Sequence, residues 1–397
     1  MPPGESYHDP MMVEPRFTCL EFFAGGGLAR LGLQDHFDCA FANDIDPMKC
    51  RTYRHNFPGD ALIEADVTAI DPDTAPAADL AWASFPCQDL SLAGARGGLN
   101  AARSGAFWGF WNIIDRQLKQ NRAPRLLVLE NVTGLISSNG GADLQALLST
   151  LQAGGYHAGA VVLDAAHFRP QSRPRVFIIA HHGAPPPALV STAPHPVHHP
   201  QALTRFVATL PADIASKWVW WRLPDLPIRN IALPDVIETC PPDSVWRADP
   251  AMEKLRTQMS PAHQKRLADA LATPELRAGA VYRRIRIEDG QKVQRAEIRY
   301  DGLAGCLRTP AGGSSKQLLV VTQNGKARLR PLLAREAARL MGCPETYSLP
   351  ASQTDGLKVM GDGVCVPAVK WLADELLAPL LARQPASLDA KAAPLPV

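Results

Sequence analysis

The stretch Ala83-Ser84-Phe85-Pro86-Cys87-Gln88-Asp89-Leu90-Ser91 sets a cysteine between a proline and a glutamine, just past the apolar run 79–83. An ionised thiol is a strong carbon nucleophile, and even an unperturbed one, with a pKa of about 8.5, is a few per cent thiolate at neutral pH. Alone, a free cysteine is more often a small buried hydrophobe. Its neighbours along the chain shift that balance. The apolar run 125–129 ends in Glu130-Asn131-Val132, so a second strand carries a carboxylate to the same sheet edge. A helix-capping or solvated carboxylate fits that position equally well, and Asn131 is expected to tie down the turn. Gln171, Arg173 and Arg175 alternate ahead of the run 176–180, which places all three on one face of an extended segment. Guanidinium forks so aligned can converge on one polar target, and surface arginines at a strand start share the pattern.

Such groups need a sheet to position them. The run 17–23 ends in Phe23-Ala24-Gly25-Gly26-Gly27, and residues 28–33 have helical spacing. Strand, glycine turn and helix let a nucleotide-like ligand approach the backbone. The run 39–43 leads into Asp44-Ile45-Asp46, an acid about twenty residues past the glycines and so placed for ribose hydroxyls. A third strand near 61–63 is followed by Asp66-Val67. Nicotinamide and flavin enzymes favour Gly-x-Gly-x-x-Gly, because a pyrophosphate sits on the helix start. Here the third glycine position is Arg30. A ligand without pyrophosphate fits better, and S-adenosylmethionine is the candidate.

Composition sets the frame. The chain of 397 residues is 46% hydrophobic and 20% charged with a net charge of +2, which suits a globular protein of two or three domains, or one with an insertion. It has no apolar run of membrane-spanning length and no signal-peptide pattern at Met1-Pro2-Pro3-Gly4. Its eight cysteines are scattered without a Cys-x-x-Cys pair, which argues against zinc and a disulfide framework and for a reducing cytoplasm. His198-His199 reads as a loop pair rather than a metal site. The proline- and histidine-rich stretch 183–200 marks a domain boundary, and Trp218, Trp220 and Trp221 are expected to form the small core of the region beyond it. Between Arg277 and Arg328 eleven basic residues face four acidic ones, which suits a phosphate-contacting surface and equally a solvated charged face. Within it, Arg308-Thr309-Pro310-Ala311-Gly312-Gly313-Ser314-Ser315-Lys316 is small enough to approach a sugar-phosphate backbone, or to be a plain hairpin loop. The aromatics of 107–114 suggest a core helix. Further helices are expected over 330–342, with Pro331 in its first turn and Gly342 as its stop, and over 367–381, with a tight turn at Gly361-Asp362-Gly363-Val364 between them. Residues 1–15 and 384–397 read as tails.

In order along the chain, Phe23-Ala24-Gly25-Gly26-Gly27, Pro86-Cys87-Gln88, Glu130-Asn131-Val132, Gln171-x-Arg173-x-Arg175, Arg335-Glu336-Ala337-Ala338-Arg339-Leu340-Met341-Gly342 and Gly361-x-Gly363-Val364 resemble the DNA cytosine-5 methyltransferases, over about 17–182 and 330–383. The resemblance implies an α/β protein: a doubly wound, Rossmann-like S-adenosylmethionine-dependent sheet with a smaller target-recognition domain inserted. It assigns 16–183 and 330–383 to the catalytic domain and 184–329 to recognition. It implies methyl transfer from S-adenosylmethionine to carbon 5 of a cytosine flipped out of duplex DNA. Cys87 would add to carbon 6, Glu130 would hold ring nitrogen 3 and the amino group, and Arg173, supported by Arg175, would hold the pyrimidine oxygen and the Cys87 loop. A water would take the carbon 5 proton. Around the cofactor it implies Phe23 against the adenine, Gly25 and Gly27 in the turn, Asp44 on the ribose beside Ile45, and Asp66 and Val67 at the adenine edge. Phe85, Gly363 and Val364 would enclose the methionine end. Gln88, Arg308, Thr309, Ser314, Ser315 and Lys316 would face DNA. No metal is implied. The implied partners are double-stranded DNA and a cognate restriction endonuclease, with no membrane, for a cytoplasmic, nucleoid-associated monomer.

Three departures stand out. Glu21 replaces the family's usual Asp. Asp362 replaces the usual Asn and sets a second carboxylate near the cofactor's own. Cys306-Leu307 stands where a Thr-Leu pair is usual, with Thr309 as another candidate for the phosphate contact. A related tRNA methyltransferase branch carries a Cys-Phe-Thr signature that this chain lacks.

Overall fold

The computed structural model describes residues 16–59, 61–86, 105–288, 290–309 and 317–382. The apolar runs become a seven-stranded sheet: β1 (Phe17–Phe22), β2 (Phe37–Asp44), β3 (Leu62–Glu64), β4 (Leu80–Ala83), β5 (Leu126–Val132), β6 (Tyr156–Asp164) and β7 (Pro174–His182). The strand order is β3-β2-β1-β4-β5-β7-β6. The first five strands are parallel, and β7 runs antiparallel between β5 and β6. All four residues of β4 are buried, as a strand covered on both faces must be. One core holds Trp82, Val128 and Phe177, and the other Phe22, Leu129 and Ile178. Helices α1 (Leu28–Leu33) and α2 (Pro47–Asn56) follow β1 and β2. Helix α3 (Ala106–Lys119) buries Phe107, Phe110, Ile113 and Ile114, so its aromatics are core, as the spacing suggests. The helix Val366–Leu372 returns from the far end of the chain to pack on α1. A Cβ on Gly32 would fall 2.5 Å from the Cβ of Val369, so only glycine permits that approach.

A second antiparallel sheet of β10 (Arg277–Glu288), β11 (Gln291–Arg299), β12 (Leu318–Gln323) and β13 (Lys326–Pro331) has the order β11-β10-β12-β13. It closes over its own core, including Met252, Leu255, Leu267, Ile298 and Val320. The expected boundary at 184 falls earlier than this change of core. The short pair β8 (Val190–Ser191) and β9 (Trp220–Trp221) lies against the large sheet, because the chain around Trp218 extends the edge of β6. Ala158 N donates to the Lys217 carbonyl at 3.1 Å, and Val219 N donates to the Ala158 carbonyl at 3.0 Å. Trp221 is therefore buried in one large-sheet core and Trp218 packs on the other, instead of forming the centre of the smaller lobe.

Two other expectations shift. The helix expected from Arg330 begins at Ala334 and runs to Met341, while Arg330 and Pro331 end β13. The cause is a fully buried ion pair. The Arg330 guanidinium donates to both Glu336 oxygens at 2.8 and 2.6 Å, and Glu336 also accepts from Leu333 N. Gly361 and Asp362 finish the helix Gln353–Asp362, capped by Gly363, rather than forming a free turn.

The histidine pair is pinned. His198 Nε2 donates to the Pro224 carbonyl and the His198 carbonyl accepts from Val162 N, each at 2.8 Å. His199 Nδ1 accepts from His195 N at 2.7 Å, and both rings are buried. Burial, helped by His198 and His195, pushes the His199 pKa down to about 4. On acidification the unfolded chain takes up this proton near pH 6.5 and the folded chain only near the lower value. The stabilisation is thus complete above pH 6.5 and lost as pH falls to about 4, by up to about 3 kcal/mol. Denaturant titrations at pH 7 and 4.5 should show a His199→Gln protein losing less stability than the wild type; equal losses would refute the assignment.

Candidate active site

The carboxyl ends of β1, β2, β4 and β5 open onto one cleft of about 1080 Å³. Along one wall, Gly25 has φ +57°, and a Cβ added there would meet nothing within 4 Å, so the turn presents bare backbone to the open space. Gly27 has φ +81° and shapes the entry to α1 without lining the cleft. Asp44 braces the turn by accepting from Gly25 N and Asp46 N, both at 2.8 Å. A carboxylate has about four lone-pair sites, so Asp44 retains capacity for a ligand hydroxyl. Phe23 also lies at positive φ, unusual for an aromatic residue, and meets Phe85 edge-on at 6.4 Å. Asp66 accepts from Thr68 N at 2.8 Å, and it and Val67 line the wall. Ile45 is 63% exposed at the rim. Glu21 lies beneath the turn, accepting from Arg30 N at 3.1 Å and the Tyr53 hydroxyl at 3.3 Å. Burial pushes its pKa well up.

At the other end Glu130, the fifth residue of β5, is buried. Arg175 Nε lies 3.1 Å from its Oε1. Burial raises the Glu130 pKa, against the opposing pull of Arg175, Arg173 and a Ser84 hydrogen bond. Asn131 does tie down a turn: its Nδ2 donates to the Phe85 carbonyl at 3.0 Å. That bond fixes the chain just before Pro86, which lines the cleft. Cys87 and Gln88 come next in sequence and lie outside the described residues.

The alternating triplet divides its labour. Gln171 is buried against the return from the smaller lobe, accepting from Leu307 N at 3.2 Å and donating to the Leu340 carbonyl at 3.1 Å. Arg173, expected at a pyrimidine oxygen, commits its terminal nitrogens to the carbonyls of Leu307 at 2.8 Å, Gly361 at 2.9 Å and Gly363 at 2.6 Å. Arg175, expected in support, is the guanidinium that faces Glu130.

Of the residues expected on DNA, Arg308 and Thr309 line the same cleft, whereas Ser314, Ser315 and Lys316 lie outside the described residues. The Thr309 hydroxyl donates to Asp362, so its single proton is not offered to a phosphate. Gly363 and Val364 also line the cleft. Sequence reasoning missed Lys49, whose Nζ lies 2.7 Å from Asp362, and Ser84 beside Glu130. Nothing in the sequence pairs Lys49 with a residue so distant. Ser84, just before the Phe85-Pro86-Cys87 motif, was within reach of inspection. The basic stretch also proves partly self-neutralised, with Arg286 on Glu297, Arg295 on Glu288 and Arg299 on Asp301. Among the described residues no His, Cys, Asp and Glu cluster could hold a metal, and no helix is long and apolar enough to cross a membrane.

The model of C-5 cytosine-specific DNA methylases matches residues 17–378. The chain is 28% identical over 370 residues to the type II methyltransferase M.NlaX of Neisseria lactamica, covering 92% of this chain and 98% of that one. It is 26% identical to M.HpaII of Haemophilus parainfluenzae, covering 92% and 90%. Among solved structures, the Dnmt2 methyltransferase of S. pombe superposes with a TM-score of 0.58 at 19% identity, covering 92% of this chain and 99% of that one. A putative DNA modification methyltransferase of an E. coli prophage gives 0.54 at 16%, covering 92% and 99%. These structures share the fold.

The Arg173 contacts make a direct prediction. An Arg173→Lys protein keeps the charge but loses the planar fork, and should be less stable by about 1.5–3 kcal/mol. Hydrogen exchange should quicken at 306–309 and 361–364 and leave β1 unchanged. Protection unchanged at both segments would show that the clamp is dispensable.

Proposed function

Since the chain belongs to the C-5 cytosine-specific DNA methylases and is a DNA cytosine-5 methyltransferase, we propose that it takes its methyl group from S-adenosylmethionine. We propose further that the target cytosine is swung out of duplex DNA and bonded through carbon 6 to Cys87. The observation that carries this is one continuous cleft: a wall suited to a nucleoside, built from Phe23, Gly25, Asp44 and Asp66, shares its space with the buried Glu130–Arg175 pair.

The residues present suit that cofactor. The bare backbone at Gly25 can approach a ligand, Asp44 can accept from ribose hydroxyls, and Phe23 with Ile45 offers an apolar surface to a purine. Glu21, buried and without a cationic side chain hydrogen-bonded to it, gains its charged form most easily when a cation comes alongside. S-adenosylmethionine, when bound, supplies an electrophilic methyl group on a positively charged sulfur.

Carbon 5 of cytosine is a poor nucleophile while the ring is aromatic. The Cys87 thiolate, adding at carbon 6, breaks that aromaticity and makes carbon 5 electron-rich. Glu130, its carboxyl held toward the protonated form by burial, donates to ring nitrogen 3 and stabilises the charge that develops as the adduct forms. Arg175, on the same carboxylate, is the guanidinium in reach of the pyrimidine oxygen. Arg173 acts one layer further out, fixing the walls. After transfer a water takes the carbon 5 proton and the thiolate leaves. Carbon 6 is inaccessible within a stacked duplex, so the base is extruded at a cost of a few kcal/mol. The smaller lobe and its basic stretch would hold the duplex, with Arg308 nearest the cleft. On this account the working unit is a cytoplasmic monomer. The type II names of its relatives make a restriction endonuclease reading the same site its natural companion.

Cys87→Ser should abolish both methyl transfer and covalent trapping on a 5-fluorocytosine duplex. Glu130→Gln should cut the rate by about 10²–10⁴ while leaving cofactor affinity nearly unchanged. A Cys87→Ser protein that still labels duplex cytosine at the normal rate would overturn the adduct, and transfer to tRNA in preference to duplex DNA would overturn the substrate.

A further inference from the structure

Lys49 is a cation in the first turn of α2, the end of a helix where the dipole disfavours positive charge. Capping does not account for it, because Asp46 already accepts from Met48 N at 2.8 Å and Lys49 N at 3.2 Å. Asp362 is its mirror image, a carboxylate in the last turn of the helix Gln353–Asp362, where the dipole disfavours negative charge. Each sits at the wrong end of its own helix, and they meet across the cleft at 2.7 Å. The other Asp362 oxygen accepts the Thr309 hydroxyl. Three segments remote in sequence are thus joined on one carboxylate: the turn after β2, the capped helix end beside Gly363, and the return from the smaller lobe. The side chains are 19% and 34% exposed, so solvent screens part of the attraction between them. Folding is therefore a poor reason for the pair. The cleft offers a better one. Asp362 and Gly363 line the cleft, and with the methionine end of the cofactor at Gly363 and Val364, as the resemblance implies, an unneutralised carboxylate there would repel the cofactor's own.

We propose that Lys49 is a positioning residue for the cofactor: by neutralising Asp362 it keeps the wall at Gly361-Asp362-Gly363 from repelling the carboxylate of S-adenosylmethionine. The inference rests on the cleft binding that cofactor. Asp44 and Asp46 also face Lys49 and hold its pKa up together with Asp362, so the ammonium stays charged across the working range. Lys49 touches no reacting atom in this scheme and acts through the charge of Asp362.

The test is a charge-compensation cycle read both in the calorimetric Kd of each variant for S-adenosylmethionine without DNA, which should move as KM does, and in steady-state methylation of duplex DNA. Lys49→Met should raise KM for S-adenosylmethionine about tenfold or more and leave kcat within about twofold. Lys49→Met with Asp362→Asn should restore KM to within about threefold of wild type, since the repulsive carboxylate is gone. Added salt should lower KM for Lys49→Met and not for the double variant. With decarboxylated S-adenosylmethionine the Lys49→Met penalty should vanish. An unchanged KM in Lys49→Met, or a double variant as impaired as the single one, would overturn the proposal. A wild-type protein that binds no S-adenosylmethionine in a calorimetric titration would instead overturn the cofactor assignment itself.

Discussion

Arg173 is a buried cation with no carboxylate paired to its guanidinium among the described residues. Its terminal nitrogens are satisfied by backbone carbonyls at Leu307, Gly361 and Gly363, and its Nε has no partner among the described residues. Burying a guanidinium is costly, and burial pulls its pKa down. Carbonyl dipoles offset that cost only when several converge, so the cation selects one arrangement of the three segments that supply them. Those segments are the return from the smaller lobe, the end of a C-terminal helix and the turn beyond it. Arg173 enters β7, and β7 pairs with β5 so that Arg175 lies opposite Val132 and Phe177 opposite Glu130. The position of Glu130 relative to the cofactor wall is therefore tied, through one ladder and one guanidinium, to segments that arrive from the far end of the chain.

The cleft that results is acidic, and its acids are held in different states. Asp44 and Asp66 accept backbone N–H groups, and those bonds hold the Asp66 pKa down. Glu21 and Glu130 are buried deeply enough that desolvation dominates and their pKa values rise. The first pair suits hydroxyl and amino donors of a nucleoside. Of the second, Glu130 suits a ring nitrogen that must receive a proton, and Glu21 suits a site waiting for positive charge. Similar side chains thus take separate roles because the backbone reaches some of them and not others. Arg175 opposes that rise at Glu130 and pulls its pKa back down.

Much of this was legible in the sequence, for identifiable reasons. Buried parallel strands need unbroken apolar runs, so 17–23, 79–83 and 125–129 announced themselves, and the residues after them fell at the sheet edge. Alternation in Gln171-x-Arg173-x-Arg175 named a shared face, but a face is not a partner. The partners of Gln171 and Arg173 come from beyond residue 300, and local pattern carries no information about them. That Arg175, and not Arg173, lies on Glu130 was hidden for that reason. Composition left the packing of 183–200 unread for a different one. Prolines and histidines signal a lack of regular structure, not a lack of packing, and His198 and His199 are buried in the segment read as a domain boundary. The Arg330 helix start was misjudged because Pro331 is equally at home ending a strand, and the Glu336 pair decided between the two.

The nearness of the recognition segment to the cofactor wall has a steric origin. A Cβ on Gly361 would fall 2.7 Å from the carbonyl carbon of Arg308, so the chain leaving the smaller lobe lies directly on the helix end that lines the cleft. Glycine at 361 is what allows that contact, and Arg173 then clamps both sides of it. Any displacement of Arg308 and Thr309 by bound duplex must move Gly361 or break the carbonyl bonds to Arg173, because packed backbone does not deform gradually. With the cofactor and duplex bound where proposed, Gly363 would border the cofactor wall two residues further on. Each ligand would then change the free energy of a wall that the other touches, and by linkage the effect would be equal in both directions.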